Sequence, residues 1–230
     1  MFNWLFGYKS HSEAIIVACY FNPENNPYRL RAFNLFYKKI KHMNHKIIEC
    51  VIGDGKPQLP NNENIEVIYT ESKLWHKEGL LNKAIRELPS KYKYVFWLDT
   101  DVIFKNRNWM VESVQRMKDG ANIVQPFEYC IHLERNQLTP GFNVNTAKKY
   151  VHDKVNRYPR LWRSFCATFY DLPALAKDRD YNLHGHVGFA WGAKREILDK
   201  VPLFDKGLIG GADHIIAHAA AGHIPHGCIH

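Results

Sequence analysis

Four short apolar runs, separated by stretches of helical period, open the chain. Residues 14–20, 46–52, 65–69 and 94–98 are strand-length and rich in β-branched or aromatic side chains, so they predict buried or half-buried strands. Between the first two, Leu30, Phe33, Phe36, Tyr37 and Ile40 recur at helical spacing while Arg29, Lys38, Lys39 and Lys41 take the wet side. That stripe predicts a helix starting near Pro27. Before the fourth run, Leu74, Leu81, Ile85 and Leu88 make a second stripe closed by Pro89, with Glu78, Asn82 and Arg86 on another face. Strands alternating with helices predict an α/β domain whose sheet is largely parallel and whose crossovers are right-handed.

Past Phe104 the pattern loosens. Residues 109–118 read as a helix and 123–125 as a strand, but residues 126–186 mix Pro, Asn, Arg and aromatics without sustained period. A stretch of that length is far beyond an ordinary connection, so it predicts short helices and substrate-shaping loops. Regularity returns at residues 187–193, in a helix over about 194–200, and in another over about 212–221 after Gly210-Gly211. The expectation is one domain, with residues 12–125 as one half and the loop-rich residues 126–230 as the other.

Composition narrows the class. An aromatic content of 13% in 230 residues excludes a disordered chain and a small disulfide-stapled scaffold. Cys19, Cys50, Cys130, Cys166 and Cys228 are odd in number, widely spread and free of any Cys-x-x-Cys pair, so they read as reduced thiols. No apolar run approaches the roughly 20 residues that span a bilayer. The apolar opening from Met1 to Lys9 lacks a signal-peptide start, which leaves packing on the domain or a dip into a membrane interface. The expected location is cytoplasmic, peripheral to a membrane at most. A net charge of +8 leaves nucleic acid, anionic lipid and phosphorylated small molecules open as partners.

The sharpest chemical feature is Phe96-Trp97-Leu98-Asp99-Thr100-Asp101-Val102-Ile103-Phe104, with two carboxylates at the end of an otherwise apolar strand. Carboxyl ends of parallel strands form the ligand crevice of α/β sheets, and acids at i and i+2 there can reach one divalent cation. Read in isolation, both acids would only cap the strand and its turn.

The surrounding segments decide between these readings. Residues 77–85, Lys-Glu-Gly-Leu-Leu-Asn-Lys-Ala-Ile, followed by Tyr94 to Asp101, resemble the nucleotide-sugar half of GT-A fold glycosyltransferases of the Asp-x-Asp type. The resemblance takes in residues 15–23, where a first strand ends in Asn22-Pro23, and residues 51–55, where a second ends in Gly53-Asp54-Gly55. It covers about the first 105 residues and resumes at residues 188–193 and at Gly210-Gly211-Ala212-Asp213, similar to acceptor-side segments of the large inverting family. It implies a Rossmann-like, mostly parallel nucleotide-binding sheet and transfer of a sugar, with inversion, from a UDP- or GDP-sugar to a glycan or other hydroxyl acceptor.

Residue by residue, the resemblance implies that Asp101 ligates Mn²⁺ or Mg²⁺ and that Asp99 contacts ribose or a metal-bound water. Asp54 would accept from base or ribose, Asn22, Lys77 and Asn82 would reach the nucleotide, and Asp213 would be the general base. Each has an ordinary alternative: a solvated helix face for Lys77 and Asn82, a turn for Asp54, a helix cap for Asp213. Many relatives carry a second acid beside the base, whereas Asp213 is flanked by Ala212 and His214. Five of 13 histidines, His214, His218, His223, His226 and His230, fall in the last 17 residues. His226 or His230 would complete the metal site, in the manner of the superfamily's C-terminal His. The i, i+4 pair His214 and His218 is a candidate for zinc, without the intervening Glu of metalloproteases. His184, His186, Trp191, Tyr129, Phe142, Trp162 and Phe165 are candidates for an acceptor surface, of which His186 and Trp191 are the leading ones. The abrupt end at His230 suggests that the natural chain continues.

Two other functions compete. A nucleotidyltransferase would also use a metal and two acids, but it normally brings a Gly-rich basic signature near the first strand, and Asn22-Pro23-Glu24-Asn25-Asn26-Pro27 is not that. A non-catalytic nucleic-acid-binding module would use the positive charge and the aromatics, yet the basic residues are scattered and the two acids would repel phosphate without a metal. Glycoside hydrolysis fits poorly, because acids two residues apart do not flank a scissile bond.

Overall fold

The computed structural model describes residues 7–74, 76–134, 137, 143–146, 148, 157–158, 160–178, 183–207 and 211–223. In chain order the elements that matter are β1 (Ala14–Phe21), α1 (Pro27–Ile40), β2 (His45–Ile52), β3 (Ile65–Thr70), α2 (Lys77–Arg86), β4 (Tyr94–Leu98), α3 (Trp109–Lys118) and β5 (Ile123–Val124). They continue with β6 (Tyr129–Ile131), β7 (Arg157–Tyr158), β8 (Leu161–Arg163), α4 (Phe165–Asp171), α5 (Pro173–Ala176), β9 (Ala190–Lys194), α6 (Arg195–Lys200) and α7 (Ala212–Ala220). Two compact units result. The first takes the chain up to Pro126 and Phe189–Ala212; the second takes Phe127–Gly188 and the chain from Asp213 onward.

The first unit is a mixed α/β structure around a six-stranded sheet of order β3-β2-β1-β4-β9-β5. Strands β1 to β4 pair in parallel, and β9 runs antiparallel to both β4 and β5. The centre of the sheet is dry: Ile16, Val17 and Ala18 of β1 and Val95 and Phe96 of β4 have no solvent exposure. The near-continuous apolar runs of the sequence are those of strands covered on both faces. Helix α1 begins where the sequence places it, with Pro27 in its first turn and the Asn26 side chain accepting from Tyr28 N–H at 2.9 Å. It buries Phe33, Phe36 and Ile40, worth roughly 1.5–3 kcal/mol each in water-to-core transfer.

Chain order sets the position of the crevice. From β1 the chain moves outward through β2 to β3, then returns through α2 to place β4 on the other side of β1. The strand order therefore reverses between β1 and β4, and the cleft of such a sheet opens at the carboxyl ends of those two strands. The turn after β4 is anchored from beneath. Phe104 stacks on Trp109 at a centroid distance of 4.3 Å, and the Tyr8 hydroxyl donates to the Phe104 carbonyl at 3.0 Å and accepts from its N–H at 2.9 Å.

The second unit holds a small antiparallel sheet of order β6-β8-β7 followed by α4 and α5. Leu161 is its fully buried centre, with Tyr129, Ile131 and Val144 packed against it. Arg163 of β8 is buried and paired with Asp171 at the end of α4. Among the described residues no helix is long and apolar enough to cross a membrane, and Cys19, Cys50, Cys130 and Cys166 form no disulfide.

Candidate functional site

Strand β4 carries its buried residues Phe96, Trp97 and Leu98 to the crevice, and the chain there emerges as Asp99-Thr100-Asp101. The backbone of Asp99 is fixed from the antiparallel side, its N–H donating to the Phe189 carbonyl at 2.8 Å. Phe189 makes that bond from φ +76°, a left-handed conformation that a bulky residue rarely adopts. Local strain of this kind concentrates at functional sites.

Lys77, the first residue of α2, is buried and reaches the same place, with Nζ 2.6 Å from Asp99 Oδ1. Asp99 retains partial exposure. Asp101 is solvent-exposed as a residue, but its carboxyl stands close enough to protein for desolvation to push it above the ordinary aspartate range. The Asp99 charge adds to that push, while Lys77 and Arg29 pull the other way. Two carboxylates in mutual repulsion, with two cations in electrostatic reach, form a site suited to a divalent ion and the phosphates it would carry. Arg29 is the residue the helical pattern hides: on the polar side of α1 it looks like a solvated lysine-type position, yet its guanidinium is held to the Phe21 carbonyl at the end of β1, at 2.9 Å. Cys19 of β1 lies in the electrostatic reach of Lys77, Glu78 and Asp99, and burial raises its thiol so far that it stays protonated and inert.

The other expected donor contacts separate on inspection. Asp54 is exposed beyond β2, in a turn where Gly53 has φ +56° and Gly55 N–H donates to the Ile52 carbonyl at 3.0 Å. Asn22 is buried at the end of β1, and its side chain is used by its own loop: Oδ1 accepts from Asn26 N–H at 3.0 Å, and Nδ2 donates to Gln58 Oε1 at 2.8 Å. Asn82 is corrected outright. Its Nδ2 donates to the Leu203 carbonyl at 2.8 Å and its Oδ1 accepts from Leu203 N–H at 3.0 Å, so both ends of the amide bracket the backbone of Leu203, after α6, instead of a nucleotide.

Trp191 requires the same correction. It lies on β9 with 1% of its surface exposed, stacked on Trp97 with an interplanar angle of 11°, and offers no face to a sugar. His186, in the second unit, packs edge-on against Trp162 at 5.6 Å. Its Nδ1 accepts from Gly188 N–H at 3.1 Å, which leaves the proton on Nε2. Burial, reinforced by His132 and His184, lowers its pKa to about 3, so it is a neutral donor. Tyr129 and Trp162 are half-buried, while His184 and Phe165 are buried; Phe142 lies outside the described residues.

Asp213 lies in the first turn of α7, and its Oδ2 is 3.4 Å from where a side chain on Gly188 would begin, an ordinary contact distance. His226 and His230 lie outside the described residues. A residue pairing that sequence reasoning missed is His184 with His214 and His218, whose ligand atoms all fall within 4.8 Å of one another. The i, i+4 spacing signals the second and third of these, but nothing in the spacing points to the first.

No family model and no curated protein matches the chain. Among solved structures it is similar to a 4-diphosphocytidyl-2C-methyl-D-erythritol synthase from Anaerococcus prevotii, at 12% identity and a TM-score of 0.35, over 84% of this chain and 73% of that one. At that distance the likeness adds nothing to what the strand order already states: a mixed α/β fold with a mostly parallel central sheet.

Proposed function

We propose that the protein is a metal-dependent glycosyltransferase that takes a nucleoside-diphosphate sugar and moves the sugar to an acceptor hydroxyl with inversion. The observation that carries this reading is the pair Asp99 and Asp101 at the carboxyl end of β4, beside the reversal of strand order, with Lys77 Nζ 2.6 Å from Asp99. Asp101 and Asp99 would hold Mn²⁺ or Mg²⁺, ions that favour oxygen ligands. A bound cation supplies charge to the departing diphosphate. Lys77 and Arg29 place positive charge at the same strand ends, where phosphate oxygens need it. Asp54, exposed beyond β2, is left to the ribose or base.

The test is a panel of UDP- and GDP-sugars with Mn²⁺, read by release of nucleoside diphosphate and by calorimetry. Expected is nucleotide binding that vanishes in chelator and in Asp101→Ala; undiminished affinity in either would overturn the reading. Pyrophosphate release from a nucleoside triphosphate and a sugar phosphate would replace it with nucleotidyl transfer. The base is proposed on sequence alone: Asp213→Asn is expected to keep folding and donor binding while lowering transfer roughly 10²-fold or more. NMR of the new glycosidic bond reads the stereochemistry, and a product with the donor's own anomeric configuration counts against single displacement.

A further inference from the structure

We infer that the second unit carries a tri-histidine zinc site formed by His184, His214 and His218. The i, i+4 spacing puts His214 and His218 on one face of α7, one turn apart, with ring centroids 5.1 Å from each other. His184 comes from the segment before Gly185, distant in sequence, and its ring stands 4.7 Å from His214 and 5.4 Å from His218. The ligand atoms of all three lie within 4.8 Å of one another, and His184 and His218 have no solvent exposure.

The tautomer of His184 follows from its partner. Nδ1 lies 2.8 Å from the Gly185 carbonyl, an oxygen that only accepts, so Nδ1 carries the proton and Nε2 presents a lone pair. A backbone carbonyl on one ring nitrogen with the other turned to a metal is the usual arrangement of a ligating histidine. The backbone that makes this bond is itself fixed. Gly185 has φ +85°, and a Cβ there would meet Thr168 Oγ1 at 2.7 Å and the Ser164 carbonyl at 2.8 Å, so the segment is pressed against the start of α4. Phe165 walls the cluster, its ring 5.1 Å from His218 and 6.1 Å from His184.

Three imidazoles whose ligand atoms lie this close form a nitrogen donor set, which suits zinc and not the oxygen-seeking Mg²⁺ or Mn²⁺. A tetrahedral ion with bonds of about 2.0 Å asks for nitrogens ~3.3 Å apart, within reach by small side-chain rotations from the present spacing. Three protein nitrogens leave a fourth position for water or an added donor. The site joins α7 to the segment ending at His186.

The experiment uses the full chain with Asp101→Asn, which silences the acidic site, stripped of metal and titrated with Zn²⁺ against a chromophoric zinc chelator. Co²⁺ is added in parallel and followed by visible absorption. Expected are one zinc per chain and the intense bands of tetrahedral cobalt. His184→Gln and His214→Gln should each weaken zinc by at least about 100-fold, more than loss of an outer-shell partner usually costs. His214 is the half-buried member, so His214→Gln is the variant that keeps its fold, as far-ultraviolet circular dichroism will register. No zinc bound by the parent chain, or the same zinc affinity in folded His214→Gln, overturns the assignment.

Discussion

Desolvation first, and the Asp99 charge second, push the Asp101 carboxyl above the usual aspartate value of about 3.9, against the pull of Lys77 and Arg29. The folded protein therefore holds a proton that the unfolded chain has already released. Folding takes up protons in that window, so stability falls as pH rises from the unfolded value through the folded one. Removing the charge removes the penalty: metal-free Asp101→Asn is expected to be more stable than the parent near neutrality and to lose this slope, in urea denaturation over about pH 3 to 7 with chelator. Cation binding runs the other way, releasing the proton, so Mn²⁺ affinity rises with pH across the same window. Asn82 makes the complementary case. Asn82→Leu leaves the Leu203 N–H and carbonyl without their bracket, which should cost about 1–3 kcal/mol of stability, while calorimetry finds nucleotide affinity unchanged. The sequence displays Asp99, Asp101 and Lys77 because motif and strand end coincide. It hides the use of Asn82 because the partner lies 121 residues away, and spacing on a helix gives a face but not what covers it.

Strand β9 shows how a regular run can be seen and its place in the fold missed. Residues 187–193 stand out in the sequence as regular, and the strand there is Ala190–Lys194, but an antiparallel insertion between β4 and β5 leaves no mark in a single strand's pattern. The register supplies the physical reason it fits. Gly192 lies opposite Phe96 of β4, and a Cβ on it would come within 2.4 Å of the Phe96 ring. Phe96 is fully buried and edge-on to Trp109 at 5.2 Å, so the ring has nowhere to retreat. Gly192→Ala is therefore expected to destabilise by about 1–3 kcal/mol, and Phe96→Leu in the same chain to recover part of the loss, both read by urea denaturation. The parallel strands β1, β2 and β4 are legible because burial on both faces writes itself as near-continuous apolar runs, while the half-buried edge strand β3 shows as a short β-branched run. Strands β6 to β8, two or three residues long, fall below the length at which any period shows.

For the whole molecule, a net charge of +8 offers two explanations of phosphate binding that a single measurement separates. If general positive potential does the work, affinity for any polyanion falls steeply with salt and needs no cation. If the acids of β4 do it, a divalent ion must come first, because Asp99 and Asp101 repel a diphosphate until they are neutralised. Ligand that binds only the folded state stabilises by RT ln(1 + [L]/Kd), about 2.7 kcal/mol at a hundredfold excess over Kd. Thermal unfolding is thus expected to move little with nucleoside diphosphate alone, modestly with Mn²⁺ alone, and most with both together. That joint shift should survive added salt better than binding to an oligonucleotide does. Equal shifts with and without Mn²⁺, fading together as salt is raised, would transfer the function from the carboxyl end of β4 to the basic surface.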